Sequence, residues 1–307
     1  MKSLGDPGMK RIPIVLDTDP GVDDFFCLAL ACARDDFFDL KAVCTMGGNN
    51  YTDVTTQNAL DILGLFRKND IPVARGADSY LTEKFDEPAA KFHGENGLGN
   101  IIIPHSDRSR DMMPAWDKLY EIARAAAGEL VLVTVAPLTN VAMALEKYPD
   151  LPEYIKKIVM MGGTITTGNI TPYAEANVGH DAEASDIVFS SGIPIDMIGL
   201  NVTRICPIRE DVFDRFGRGM DPLIRDVMKG LIRFRNGEAM HDVIALSTLV
   251  DSQLMTWENG TVRIELQNAE RKGQTIFIPG TEGKTRVAVS ADPDRYDSII
   301  GEMLLHL

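Results

Sequence analysis

The run Ile12-Pro13-Ile14-Val15-Leu16, the stretch Asp17-Thr18-Asp19-Pro20-Gly21-Val22-Asp23-Asp24, and the apolar-rich segment Phe25 to Ala33 together decide how this chain folds. The first run reads as a buried strand and the last segment as a helix. The acids between them therefore lie at a strand's carboxyl end and a helix's amino end, which is where open α/β sheets bind ligands. Four carboxylates within eight residues need an explanation. Two carboxylates about 4 Å apart repel by roughly 1 kcal/mol in water and about 4 kcal/mol near a protein surface. A bound cation reverses the sign of that term, and hard oxygen ligands favour Ca²⁺ or Mg²⁺. The plainer alternative is an acidic helix start, because Asp is favoured as a cap and in the first turn. That accounts for Asp23 and Asp24. It does not account for Asp17 and Asp19, which close a strand, where Asp is depleted. The pattern favours a metal or catalytic site.

Outward from this stretch, apolar runs and helical segments alternate. Leu40 to Thr45 ends at Gly47-Gly48-Asn49-Asn50, a helical segment covers Val54 to Phe66, and Ile71 to Ala74 follows. This β-α-β-α-β order predicts a parallel sheet with right-handed crossovers. Residues 76 to 113 read as a long loop containing Phe92-His93-Gly94-Glu95-Asn96-Gly97-Leu98-Gly99. Long loops in compact domains are usually functional or mobile. A helix from Pro114 to Ala127 leads to a strand at Leu130 to Val135, and Ala136-Pro137-Leu138-Thr139-Asn140 opens a helix to Tyr148. A strand at Ile158 to Met161 ends in Gly162-Gly163, and the loop Thr164 to Gly179 carries Asn169, Glu175 and Asn177. Helices are expected at Ala182 to Ser191, Arg209 to Phe216 and Pro222 to Phe234, with a strand at Ile195 to Ile198. The basic cluster Arg225, Lys229, Arg233 and Arg235 reads first as a solvated helix face. His241-Asp242 opens the apolar helical segment Val243 to Val250, placing an imidazole and a carboxylate at one helix mouth. Late strands are expected at Thr261 to Glu265, Thr275 to Ile278 and Thr285 to Val289, and a closing helix at Pro293 to Leu305.

With 307 residues, 45% of them apolar, the chain can bury a sizeable core. A formal net charge of −14 makes nucleic acid and anionic membranes poor partners. Cys27, Cys32, Cys44 and Cys206 form no metal-binding spacing and read as reduced, buried thiols, which fits a cytoplasmic setting. Residues 1 to 11 lack the apolar core of a signal peptide, and no run approaches the roughly 18 apolar residues of a membrane span. Residues 1–8 read as a disordered or appended extension, with Met9 an alternative start, and residues 9–307 as one domain.

At this point the residues carry a resemblance. The chain resembles the nucleoside hydrolases, the inosine–uridine-preferring nucleoside N-ribohydrolase family. The signature is Asp17-Thr18-Asp19-Pro20-Gly21-Val22-Asp23-Asp24 after a strand. Supporting it in order are Gly48-Asn49, His93-Gly94, Pro137-Leu138-Thr139-Asn140, Met161-Gly162-Gly163, Gly168-Asn169, Glu175-Ala176-Asn177 and His241-Asp242. The resemblance implies a Rossmann-like open, mostly parallel sheet flanked by helices, and a tightly bound Ca²⁺. It implies as metal ligands Asp19, Asp24, the backbone carbonyl of Val135 (often Thr in the family) and Asp242. It assigns Asp23, Asn49, Met161, Asn169, Glu175 and Asn177 to the ribose, with Asp17 orienting Asp19. A homodimer or homotetramer is implied in the same way.

The reaction so implied is hydrolysis of a ribonucleoside to ribose and free base through an oxocarbenium-like transition state. Asp19 is the expected general base, His241 the expected general acid and His93 a base-pocket contact. Some family members carry a tyrosine on the helix before the His-Asp pair, but Leu231 to Asn236 has none, which leaves Arg233 as a candidate donor to the base. Others sandwich the base between tryptophans, and neither Trp116 nor Trp257 lies in a matching motif. The preferred nucleobase therefore stays open. Two other classes compete. A haloacid-dehalogenase-type phosphatase also begins with a strand and Asp-x-Asp, but it wants Thr or Val where Gly21 stands. A non-catalytic Ca²⁺-dependent nucleoside or sugar binder would keep Asp24 and Asp242 but would need neither Asp19 as a base nor His241 as an acid.

Overall fold

The computed structural model describes residues 10–85 and 87–307. The expected extension at residues 1–8 and the alternative start at Met9 lie outside the described residues. The strands are β1 (Ile12–Thr18), β2 (Phe38–Thr45), β3 (Val73–Arg75), β4 (Leu130–Thr134), β5 (Ile155–Met161), β6 (Ile195–Ile198), β7 (Met255–Ile264), β8 (Thr275–Pro279) and β9 (Thr285–Ala291). The helices are α1 (Val22–Ala33), α2 (Thr52–Leu65), α3 (Ala90–His93), α4 (Ala115–Ala126), α5 (Thr139–Lys147), α6 (Ala176–Gly179), α7 (Ala182–Ser190), α8 (Leu200–Thr203), α9 (Glu210–Phe216), α10 (Pro222–Arg235), α11 (His241–Val250) and α12 (Pro293–His306).

All nine strands join one sheet in the order β3-β2-β1-β4-β5-β6-β9-β7-β8. The first six run parallel in the doubly wound order 3-2-1-4-5-6, and β9 adds parallel to β6. β7 pairs antiparallel with both β9 and β8. The chain is thus an α/β protein with a mostly parallel, Rossmann-like sheet, as the sequence predicts. Strand order reverses between β1 and β4, and that switch point is where such sheets place their ligands. β4 is buried along its whole length, and β1 from Ile14 onward, because helices cover both faces.

Two apolar layers form, one on each face of the sheet. One joins α1, α2, α10, α11 and α12 through residues such as Phe25, Ile62, Leu231, Ile244 and Ile300. The other joins α4, α5 and α7 through Leu119, Val141 and Val188. Within the first layer α1 packs against α11, and their amino ends bring Asp23, Asp24 and Asp242 together. Among the described residues, no helix is long and apolar enough to cross a membrane.

The structure departs from the expected elements in a few places. α1 begins at Val22 rather than Phe25, so Asp23 and Asp24 lie inside its first turn. α3 and α6 are four-residue helices within stretches expected to be loop, and the equally short α8 lies where no element was expected. β7 begins at Met255, six residues before the expected Thr261, and the early part is held by antiparallel pairing to β9.

Candidate active site

Asp24 sits in the first turn of α1 and accepts from the Gly21 N–H at 2.9 Å, the Asp19 N–H at 3.3 Å, Asn49 Nδ2 at 2.9 Å and the Thr18 hydroxyl. A carboxylate has about four acceptor directions, and these four bonds use them. A cation shared with Asp24 would take the place of one of them. Asp19 Oδ2 accepts the Asn49 N–H at 2.7 Å, while its buried Oδ1 has no hydrogen-bond partner. Close approach explains two glycines here. A Cβ on Gly48 would lie 2.0 Å from Asp19 Oδ2, and one on Gly21 would lie 2.3 Å from His93 Nδ1.

Asp23, Asp24 and Asp242 each offer a carboxylate oxygen, and these oxygens lie within 4.8 Å of one another. All three are buried. Asp23 and Asp24 come from the mouth of α1 and Asp242 from the mouth of α11, so the packing of these two helices closes the trio. The sequence reading places Asp23 on the ribose and Asp19 on the metal. The geometry brings Asp23, Asp24 and Asp242 into one group, with the uncommitted oxygen of Asp19 beside it. Burial, and then the neighbouring Asp24, push the Asp19 carboxyl well up. Burial, and then Asp23, do the same for Asp242 and raise Asp24 to about 6. Each helix amino end contributes roughly half a positive charge. Two such ends leave the four carboxylates (Asp19, Asp23, Asp24 and Asp242) far from neutral, which is the condition a hard divalent cation satisfies.

Asp23 alone moves down. Burial works to raise it, but His93, Arg235 and His241 outweigh burial. Burial itself lowers both imidazoles to about 4, with Arg235 adding to the effect, so at neutral pH neither carries charge. His93 Nδ1 accepts the Val22 N–H at 3.1 Å, which places its ring proton on Nε2, and the same nitrogen lies 3.7 Å from Asp23 Oδ1. The backbone N–H of His241 donates to Asp23 Oδ2 at 3.3 Å, and His241 Nδ1 shares a 2.7 Å hydrogen bond with Thr203 Oγ1. Both histidines and both helix mouths therefore converge on Asp23.

At the switch point, Asp17 is fully buried opposite Thr134 in β4. It accepts from Asn140 Nδ2 at 2.8 Å, and burial raises it to about 7. Its side-chain partner is Asn140 rather than Asp19, so the expected orienting role does not rest on direct contact. The Val135 carbonyl accepts Asn177 Nδ2 at 3.1 Å, and the Met161 carbonyl accepts the same nitrogen at 3.1 Å. Asn177 thereby ties the ends of β4 and β5 together. Glu175 caps α6, accepting the N–H groups of Gly163 at 2.7 Å, Asn177 at 2.9 Å and Val178 at 3.1 Å, and burial raises it to about 7. Asn169 is exposed on its loop, where its Oδ1 accepts the Ala176 N–H at 2.9 Å.

One expected residue moves out of the site. Arg233 is 66% exposed and pairs with Glu210 at 3.5 Å, so it faces solvent. Arg235, two residues on, is buried and reaches the backbone carbonyls of Phe92 and Ala239, near the two histidines. A basic run on an acidic chain conceals the difference, but helical phase reveals it. Arg235 falls on the buried stripe Ile224, Val227, Met228, Leu231, Ile232 of α10, at spacings of three and four. Thr203, the partner of His241, carried no sequence signal of its own.

Residues 14–298 match the family described as inosine-uridine preferring nucleoside hydrolase. The chain is 33% identical over 307 residues to the pyrimidine-specific ribonucleoside hydrolase RihA of Salmonella arizonae, covering 95% of this chain and 98% of that one. It is 35% identical over 304 residues to the non-specific ribonucleoside hydrolase RihC of Escherichia coli O1:K1, covering 96% and 98%. Among solved structures, a plant nucleoside hydrolase superposes with a TM-score of 0.88 at 31% identity, covering 96% of this chain and 99% of that one. A purine-preferring ribonucleoside hydrolase from Gardnerella vaginalis superposes with a TM-score of 0.89 at 28% identity, covering 95% and 98%.

Proposed function

Because the chain belongs to the inosine-uridine preferring nucleoside hydrolase family and is a ribonucleoside hydrolase, we propose that it splits the N-glycosidic bond with Ca²⁺ and with Asp19 as general base. The observation that carries this reading is the buried trio Asp23, Asp24 and Asp242, with the uncommitted Asp19 Oδ1 beside it. The donor set is all oxygen, anionic and gathered from two helix mouths, and it fits a hard divalent ion. Ca²⁺ accepts irregular shells of six to eight oxygens, whereas Mg²⁺ demands a near-ideal octahedron. Asp19, Asp24, Asp242 and the Val135 carbonyl would hold the ion, with Asp23 close enough to join them. When bound, the cation supplies Lewis acidity, lowering the pKa of a coordinated water and gripping the ribose diol.

The chain's own groups do the rest. Asp19 Oδ1 has no hydrogen-bond partner, so it is free to accept a proton from the attacking water. Asp23, lowered by His93, Arg235 and His241 against its burial, accepts from a ribose hydroxyl, and Asn49, Asn169, Glu175, Asn177 and Met161 complete the ribose cradle. A grip that tightens as the ring flattens toward the oxocarbenium ion accelerates the reaction rather than merely binding substrate. The departing base takes up a proton or a strong hydrogen bond. With Nδ1 of His241 engaged by Thr203 and the ring neutral at neutral pH, the ring's other nitrogen is the one to offer a hydrogen bond, and His93 contacts the base. The products are ribose and free base. The relatives' names span pyrimidine-specific, non-specific and purine-preferring enzymes, so the shared chemistry lies in the ribose half. The described cysteines are free and buried, which suits the cytoplasmic setting we assign.

The direct test is release of free ribose from inosine, adenosine, guanosine, uridine and cytidine, before and after chelation, with Ca²⁺ or Mg²⁺ restored. Chelation should abolish ribose release and Ca²⁺ should restore it best. Undiminished release after exhaustive chelation removes the cation from the mechanism.

A further inference from the structure

We propose that Arg235 is a positioning residue, a buried guanidinium that clips together the two loops presenting His93 and His241 to the site. This rests on the hydrolase reading above for its consequence, though not for its geometry. Arg235 ends α10 with its side chain 6% exposed. Its Nη2 donates to the Ala239 carbonyl at 2.9 Å, two residues before His241, and its Nη1 donates to the Phe92 carbonyl at 3.4 Å, next to His93. One planar fork therefore holds a backbone oxygen of each histidine-bearing segment. The turn after α10 makes this reach possible. Asn236 and Gly237 both adopt positive φ, 50° and 86°, and fold the chain back over Arg235 toward His241.

A core-packing role does not account for these features. The stripe that Arg235 continues is apolar, and a leucine or methionine would fill it without desolvating a charge. Its one ion-pair partner among the described residues, Glu238 at 3.5 Å, is itself 62% exposed. Pairs of that kind contribute little. The buried Nε has no partner at all. What the guanidinium gains is its pair of carbonyls, which sit on segments 143 and 4 residues away in sequence. The same two segments also approach Asp23, whose Oδ1 lies near His93 and whose Oδ2 accepts from the His241 N–H. A lysine ammonium cannot span the two carbonyls as a fork does.

The test compares R235M and R235K with the wild-type protein, after circular dichroism and thermal melts show each variant folded. Two readouts are used. The first is hydrogen–deuterium exchange. In both variants the amides of residues 90–99 and of residues 237–242 should lose protection together. Loosening of only one segment, or of neither, overturns the clip. The second is kcat/KM on natural nucleosides against p-nitrophenyl riboside, whose leaving group needs no proton. Loss of hydrogen bonds to a charged donor should slow the nucleosides by roughly 10- to 100-fold in both variants, while R235K, which keeps the positive charge near Asp23, should leave p-nitrophenyl riboside close to wild type. A parallel fall on both substrates in R235K marks a merely structural role, and no fall on either substrate removes any role in base departure. If R235M does not fold, R235K is read by the same criteria. If the wild-type protein releases no ribose from any substrate, the hydrolase reading fails on its own, while the exchange result still decides whether Arg235 joins the two segments.

Discussion

At the scale of single residues, the site turns on which oxygens are free. Asp24 is saturated by four hydrogen bonds, whereas Asp19 keeps one buried oxygen without a partner. Asp19→Ala removes that acceptor, and the loss of a single acid–base contact is typically worth about 10²–10⁴ in rate. Ribose release from inosine or uridine should fall by at least this much, and turnover like the wild type would exclude Asp19 as the base. Gly48→Ala tests the same atom from the other side. Its Cβ would press to 2.0 Å on Asp19 Oδ2, so activity should drop well below wild type while the circular dichroism spectrum is kept. His241→Ala should slow natural nucleosides more than p-nitrophenyl riboside, and equal slowing takes it out of the acid role. Much of this was legible in the sequence because Asp17 and Asp19 stand where strands avoid carboxylates. The choice between Arg233 and Arg235 is legible only in the rotational phase of α10, which sets Arg235 on the buried stripe, and the basic run conceals it.

At the scale of elements, legibility follows burial. β1 and β4 announce themselves as apolar runs because helices cover both faces of the sheet. The first half of β7 does not, since Thr256, Glu258 and Asn259 are exposed and the strand is held by backbone pairing to β9. α3, α6 and α8 are too short to show a helical period. The meeting of α1 with α11 is a tertiary event. Locally, Asp242 reads as a helix cap, and only the family resemblance linked it to Asp24. That helix pair should also govern cation affinity. Ile244 is fully buried in α11 in the layer shared with α1. Ile244→Ala should destabilise the protein by about 2–5 kcal/mol in urea unfolding. It should also weaken Ca²⁺ binding by calorimetry, because the two helix mouths lose their fixed spacing. Unchanged affinity in a destabilised variant would show that the carboxylates are positioned by their loops alone.

At the scale of the whole molecule, the acidic centre sets how stability responds to pH. In the metal-stripped protein Asp17, Asp24 and Glu175 are raised to about 7, 6 and 7, and Asp19 and Asp242 also move up. Between their unfolded values and these raised ones the folded state binds more protons, so their contribution is lost as pH rises. His93 and His241, lowered to about 4, act oppositely between about 4 and 6.5. The carboxylates outnumber them. Melting temperature under chelation should therefore rise as pH falls from about 7.5 to about 5.5, and Ca²⁺ should flatten or invert that slope by holding the carboxylates ionised. A stripped protein that melts lower in acid would contradict this. The separation of 218 residues between Asp23 and His241 carries a last consequence, for folding rates. Loops this long close late, after local structure has formed. A ligand that needs both ends of such a loop binds the finished fold and not the transition state, so it slows unfolding and leaves the folding rate alone. In a denaturant chevron, added Ca²⁺ should lower the unfolding limb only.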